Sequence, residues 1–155
     1  IELETDIQAA IEICFDLARS IDLHKLSTAK TKEHAIAGKT SGLIGLNEFV
    51  TWQATHFGIR QTLTSKITAF ERPRYFVDEQ VAGVFKSMYH KHSFTQMGEI
   101  VIMKDYFDFE SPLGLLGHLF NEIILTRYMK QFLIERNNII KTFAESGQWK
   151  VILDV

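Results

Sequence analysis

The sequence predicts an α+β fold: a strongly curved antiparallel sheet of about seven strands wrapped around a long C-terminal helix, with two short helices between strands 1 and 2. Three observations predict it. Residues 112–147 carry apolar side chains at three- and four-residue steps, through Leu116, Leu119, Phe120, Ile123, Ile124, Tyr128, Phe132, Leu133, Ile139, Ile140 and Phe143, which is the stripe of an amphipathic helix. From Leu46 to Glu110 the chain alternates apolar and polar residues in long runs broken by turn signals, the pattern of successive antiparallel strands. Near the N-terminus, Asp6 and Ser20-Ile-Asp22 offer caps for two short helical segments. At 1.5 Å per residue the C-terminal helix reaches roughly 45–50 Å. A small bundle has no place for such a rod, whereas a large curved sheet absorbs it.

Each element follows in order. Ile1–Thr5 alternates and opens the domain as a strand, and Asp6 caps a helix from about Gln8 to Arg19. Asp22 starts a second helix through Leu26. Glu33–Gly38 forms strand two, followed by a loop punctuated by Gly38, Gly42 and Gly45 and expected to form a flexible rim. Asn47–His56, Ile59–Phe70, Tyr75–Ala82, Phe85–Phe94 and Glu99–Phe109 are the remaining strands, joined at Phe57-Gly58, Glu71-Arg-Pro-Arg74, Gly83 and Gly98. Pro112 sits where the long helix begins and Gly147 where it ends.

Composition narrows the function classes. With 155 residues and 46% apolar content the chain suits one globular domain over residues 1–155. Its net charge of −2, with both signs mixed along the chain, supplies no basic field for nucleic acid or anionic lipid. No apolar run of ~18 residues is present to insert into a membrane, and no signal-peptide pattern is visible, so a cytoplasmic protein is expected. Cys14 is alone, which excludes an internal disulfide and a multi-thiolate metal site. Its place in the apolar run Ile11–Leu17 reads as a buried, inert thiol.

The words SGLIGLNEFVTWQATHFGIRQ, ITAFERPRYFVDEQVAGVFKSMYHKHSF and DYFDFESPLGLLG, set in this order of elements, resemble the START-like or SRPBCC superfamily, the helix-grip fold. More narrowly they resemble its bacterial ligand-binding subgroup sometimes labelled cell-division-inhibitor-like. The resemblance runs over nearly the whole chain. It implies a deep cavity between sheet and long helix, and it spans binders, carriers and polyketide cyclase-like enzymes.

Strand alternation then decides which side chains face that cavity, because directly opposed residues in a ladder share a face. Pairing across Phe57-Gly58 turns Val50, Trp52, Ala54 and His56 the same way as Leu63 and Ile67. Pairing of Ile67 with Asp78 carries Phe76, Asp78 and Gln80 inward. Asp78 set against His90, and His90 against Asp105, make a row on three neighbouring strands, with Met88, His92, Met103 and Phe107 beside it. An inward carboxylate in an apolar chamber is costly unless paired, and a histidine between two aspartates supplies the pairing. Such a row can orient a polar ligand group, act as an acid/base pair, or stiffen the sheet as a satisfied network. His90 and His92 with Asp105 offer donors to a divalent ion, but no further ligands are evident, and no metal or cofactor is assigned.

On the long helix, His118 and Arg136 read as solvated or snorkelling residues, while Arg127 beside Tyr128 is placed to reach an acidic ligand. Ser41, Ser87 and Ser111 lack a nucleophile-elbow context. The expected partner is a hydrophobic or amphipathic small molecule. Its walls are Trp52, Leu63, Phe76, Met88, Met103, Phe107, Ile124 and Tyr128, with His56, Asp78, Gln80, His90, His92 and Asp105 as polar contacts. The rival is a cyclase-like enzyme using the histidine–aspartate row on a polyketide-like substrate. A third reading, an interaction module filled by its own side chains, requires that no chamber exceed ~300 Å³.

Overall fold

Alternating sequence makes each strand half-buried, and seven such strands join into one antiparallel sheet in the order β1-β7-β6-β5-β4-β3-β2. The computed structural model describes residues 1–111 and 121–154. The strands are β1 (Glu2–Ile7), β2 (His34–Gly38), β3 (Phe49–His56), β4 (Ile59–Glu71), β5 (Tyr75–Gly83), β6 (Ser87–Met97) and β7 (Ile100–Glu110). Helices α1 (Ile11–Ala18) and α2 (Ile21–Ser27) and a 3-10 turn (Ala29–Thr31) separate β1 from β2. A π-helical turn (Asn121–Leu125) leads into the long helix α3 (Thr126–Ser146), and a short α4 (Trp149–Ile152) follows it. The expected start of the long helix at Pro112, its Leu116, Leu119 and Phe120, and His118 lie outside the described residues. No helix among the described residues is long and apolar enough to cross a membrane.

The two N-terminal helices differ in how they begin. Asp6 does not cap α1: it stays in β1, paired with Ile102, and the N-cap position falls to Ala10 with no side-chain bond. Helix α2 is capped by Ser20, whose Oγ accepts the Leu23 N–H at 3.2 Å in a buried setting. Ser20→Ala is expected to lower stability by about 1 kcal/mol, measured as a shift in the urea midpoint at constant slope.

Helix α3 buries Leu133, Arg136, Asn137, Ile140 and Ala144, positions three and four apart on one face. It ends at Gly147, whose φ of 77° is the left-handed conformation that closes a helix at low cost to glycine. The core between α1, α3 and the sheet centres on Phe15, which meets Phe70, Phe76 and Phe94 edge to face at 5.3–5.5 Å. Cys14 lies fully buried beside it, and burial pushes its thiol up to about 12, which makes it inert.

Turn chemistry sets the registers. Between β3 and β4, Phe57 and Gly58 both take positive φ in a two-residue hairpin. Between β6 and β7, Met97 faces Ile100 across Gly98-Glu99, a tighter turn than the expected pairing of Phe94 with Val101. Phe94 therefore faces Met103, and the whole β6–β7 register moves by two residues. Strand β6 begins at Ser87 rather than Phe85, because Gln80 clasps Phe85 through both its backbone groups, at 2.7 and 3.2 Å. The 42–46 loop is not a free rim. Gly42 N–H donates to Asp22 at 2.7 Å and Gly42 O accepts from Ile21 N–H, so the loop is fastened to α2 and Ile44 enters the core.

Candidate functional site

The concave side of the sheet and α3 line two adjoining, partly open chambers. The inner one, about 110 Å³, is lined by residues that include Ile67, Phe76, Met88 and Phe107, together with the polar side chains of Ser65, Asp78, His90 and His92. The outer one, about 370 Å³, lies against Ala54, His56, Phe57, Leu125 and Tyr128. Glu33, Trp52, Leu63, Phe85, Met129 and Phe132 line both.

At the inner end three strands bring the polar row together. Asp78 on β5 faces His90 on β6, and His92 on β6 faces Asp105 on β7. The partner expected for Asp105 is His90, two residues away. A slip of two keeps every side chain on its face, so His90 still reaches Asp105 diagonally, Nε2 to Oδ1 at 2.8 Å. An ionised carboxylate can only accept, so Nε2 of His90 carries a proton. Nδ1 of His92 lies 3.0 Å from the same oxygen, but its direction is too poor for a well-formed hydrogen bond. From α3, Asn137 Nδ2 donates to Asp105 Oδ2 at 2.6 Å. Arg136 lies 3.8 Å from Oδ1 and donates to Ala18 O at 2.8 Å and to Asn137 Oδ1 at 3.3 Å.

These neighbours set the charges. Burial opposes ionisation of Asp105, but the contacts from His90 and His92 outweigh it and hold the carboxyl well below its ordinary range. Burial, with the neighbouring His90, pushes His92 well below the usual imidazole value, so it is neutral at pH 7. Asp78 behaves oppositely. Burial lifts it above the ordinary carboxylate range, a bond with Ser65 offsets only part of this, and its Oδ1 has no hydrogen-bond partner among the described residues. Asp78 nevertheless keeps some accessible surface, because the chamber adjoins it.

Where the chambers meet, a second polar group stands on α2 and at the start of β2. His24 Nε2 lies 3.3 Å from Glu33 Oε2, and its ring stacks on Trp52 at 4.2 Å. Burial opposes ionisation of Glu33, yet attraction to His24 keeps it below its ordinary range. His56 Nδ1 meets the Tyr128 hydroxyl at 2.7 Å, and burial lowers His56 while raising Tyr128.

Not every expected wall residue takes part. Ile124 is 47% exposed and lines neither chamber, because the π-turn carries it to the outer surface. Met103 is fully buried in the core cluster rather than on a chamber wall. Gln80 is spent on the Phe85 turn. Asp105 stands behind the two histidines and holds them without lining the space. Arg127 is exposed, whereas Arg136, read as solvated, is buried. Sequence reasoning does not single out Ser65, His24, Glu33, Arg136 or Asn137 as site residues. For the last two a signal exists: they sit one turn after Leu133 and one turn before Ile140, inside the apolar stripe.

His90, His92 and Asp105 place their donor atoms within 4.8 Å of one another. A divalent ion there would compete with the His90 bond for Oδ1 and stand against the Arg136 guanidinium. The cluster therefore fits a satisfied carboxylate better than a cation site.

Curved antiparallel sheet, paired short helices and gripping helix together define the class: the chain has the helix-grip fold. Solved structures that share it include a protein of Thermus thermophilus, with a TM-score of 0.71 and 15% identity, covering 90% of this chain and 95% of that one. Major latex-like protein 151 from Panax ginseng matches at 0.66 and 18% identity, covering 93% and 95%. The di-domain ARO/CYC protein StfQ of the steffimycin biosynthetic pathway matches at 0.72 and 15% identity over 96% of this chain, which spans 51% of StfQ. At these identities the likeness is one of fold. No family model and no curated protein matches the sequence.

Proposed function

We propose that the protein binds a hydrophobic or amphipathic small molecule, its apolar body in the outer chamber and its polar end against the Asp78 and His90 row. One observation carries this reading: an apolar-walled space of about 370 Å³ adjoins a smaller polar end, above the ~300 Å³ at which ligand pockets begin. The interaction-module reading is correspondingly disfavoured. Trp52 and Leu63 serve both chambers as walls, Phe76, Met88 and Phe107 the inner one, and His56 and Tyr128 the outer. The fold's use in an ARO/CYC protein and the His90–Asp105 pair beside the chamber keep a cyclase-like enzyme as the second reading.

Native mass spectrometry of freshly purified protein, with solvent extraction of any adduct and titration with the neutral hydrophobic dye Nile red, tests the first reading. An extractable organic adduct or saturable dye binding is expected. Apoprotein that binds no dye overturns it. His90→Ala with Asp105→Asn separates the two readings: retained binding with lost turnover favours the enzyme, and weakened binding with no turnover by either form favours the binder.

A further inference from the structure

We propose that the inner chamber takes an uncharged oxygen group of the ligand, a hydroxyl, phenol or carbonyl, and excludes organic anions such as fatty acids. The inference rests on the enclosed-ligand reading above and deepens it.

Among the described residues, two guanidiniums line the chamber wall, Arg19 and Arg136, and the His24 imidazole beside them is paired with Glu33 at 3.3 Å. Arg19 is bound to Asp16 at 2.8 Å and to Ile44 O at 3.1 Å. Arg136 is bound to Ala18 O and Asn137 and faces Asp105. Both guanidiniums already have protein acceptors. An incoming carboxylate would lose its water and meet no uncommitted counter-charge, a costly transfer. It would also meet the carboxylate of Glu33 at the junction, whose ionisation burial opposes but attraction to His24 maintains.

An alkylammonium fares no better. It would stand against the two fixed guanidiniums; Glu33 is already paired with His24 at 3.3 Å, and Asp78 would have to ionise against its own burial to pair with it. A neutral hydroxyl or carbonyl costs least. Asp78 in its acid form both donates and accepts, its Oδ1 has no partner among the described residues, and Ser65 and His90 stand beside it on the same wall. The preference is therefore for a molecule that is apolar along its length and alcohol-, phenol- or ketone-like at its buried end.

The test compares three ligands that share one tail: 1-decanol, decanoate and decylamine, titrated calorimetrically into the full chain near pH 7. Decanol is expected to bind at least about tenfold more tightly than either ion, a difference of about 1.4 kcal/mol. Decanoate should gain affinity as the pH falls from about 7 to about 5 and its acid form grows. Asp78→Leu should weaken decanol by about fivefold to tenfold, and Asp78→Asn by less, since it keeps uncharged hydrogen-bonding groups. If Asp78→Leu does not fold, the three-ligand comparison on the unaltered protein decides alone. Decanoate or decylamine binding as tightly as decanol overturns the inference and leaves the enclosed-ligand reading standing. Failure of all three to bind overturns both.

Discussion

Asp105→Ala is expected to destabilise the protein by about 3–5 kcal/mol, the cost of removing one partner from a buried charged network. The side chain is buried, and four groups converge on it: His90, His92, Asn137 and Arg136. Its loss strands a buried guanidinium that keeps only Ala18 O and Asn137 as partners. Asp105→Asn should cost less, because its amide oxygen can still accept from Asn137 while its NH₂ faces the histidines. Urea denaturation of both variants at pH 7 measures the difference, and an alanine variant within about 1 kcal/mol of the parent would show that the network contributes little.

The same residues give stability a signed dependence on pH. His92 and His56 have folded values below the unfolded one, so the unfolded chain takes up protons first and stability falls as pH drops below about 6.5. Asp105 is also depressed, so its contribution is complete above about pH 4 and is lost as pH falls through its folded value. Asp78 is raised and opposes this trend, being most favourable in acid. Melting temperature is expected to decline from pH 7 toward pH 5 and again in stronger acid. Asp105→Ala should show a shallower second decline, the remainder coming from the depressed carboxyls of Glu33 and Asp16.

Met129→Trp carries the largest effect expected on binding. Met129 lies on α3 and lines both chambers, so a bulkier side chain there occupies the junction through which a ligand's body and head must be continuous. Affinity for Nile red should fall roughly a hundredfold, about 2.8 kcal/mol. Met129 packs on one side against the cluster of Met88, Phe107 and Leu133 and borders the chambers on the other. The larger ring should therefore extend into the open side, and the protein should stay folded with at most a modest loss of melting temperature. Unchanged dye affinity with intact folding would place the ligand elsewhere.

The architecture was legible because periodicity speaks directly to it: the period of two in 46–110 and the stripe from Ile123 to Phe143 mark sheet and helix without help from tertiary contacts. Facing was legible for the same reason. Asp78, His90, His92 and Asp105 share the concave side, and a two-residue slip at Gly98 could not move them off it. What alternation cannot encode is depth along a face, so Met103 and Asp105, expected on the wall, stand behind it. Contacts between distant elements were hidden too. Glu33 meets His24 because α2 folds back over β2, and Arg136 meets Ala18 across 118 positions. Composition marks arginine as a surface residue, and only the positions of Leu133 and Ile140 around it argue otherwise.

The bond from Arg136 to the last residue of α1 ties the rod to the N-terminal helices at the deep end of the space. At the other end α3 meets the β3–β4 hairpin through Tyr128, whose hydroxyl lies on His56 and whose ring leans on the exposed Phe57 at 4.6 Å. Contacts between aromatic side chains can shift by small rotamer changes, whereas a guanidinium bonded to backbone is held in place. Accommodation to guests of differing length therefore belongs to the outer half, while the inner end, held by the Arg136 bonds, is the more rigid. A homologous series should be graded gently by its tail and sharply by its head.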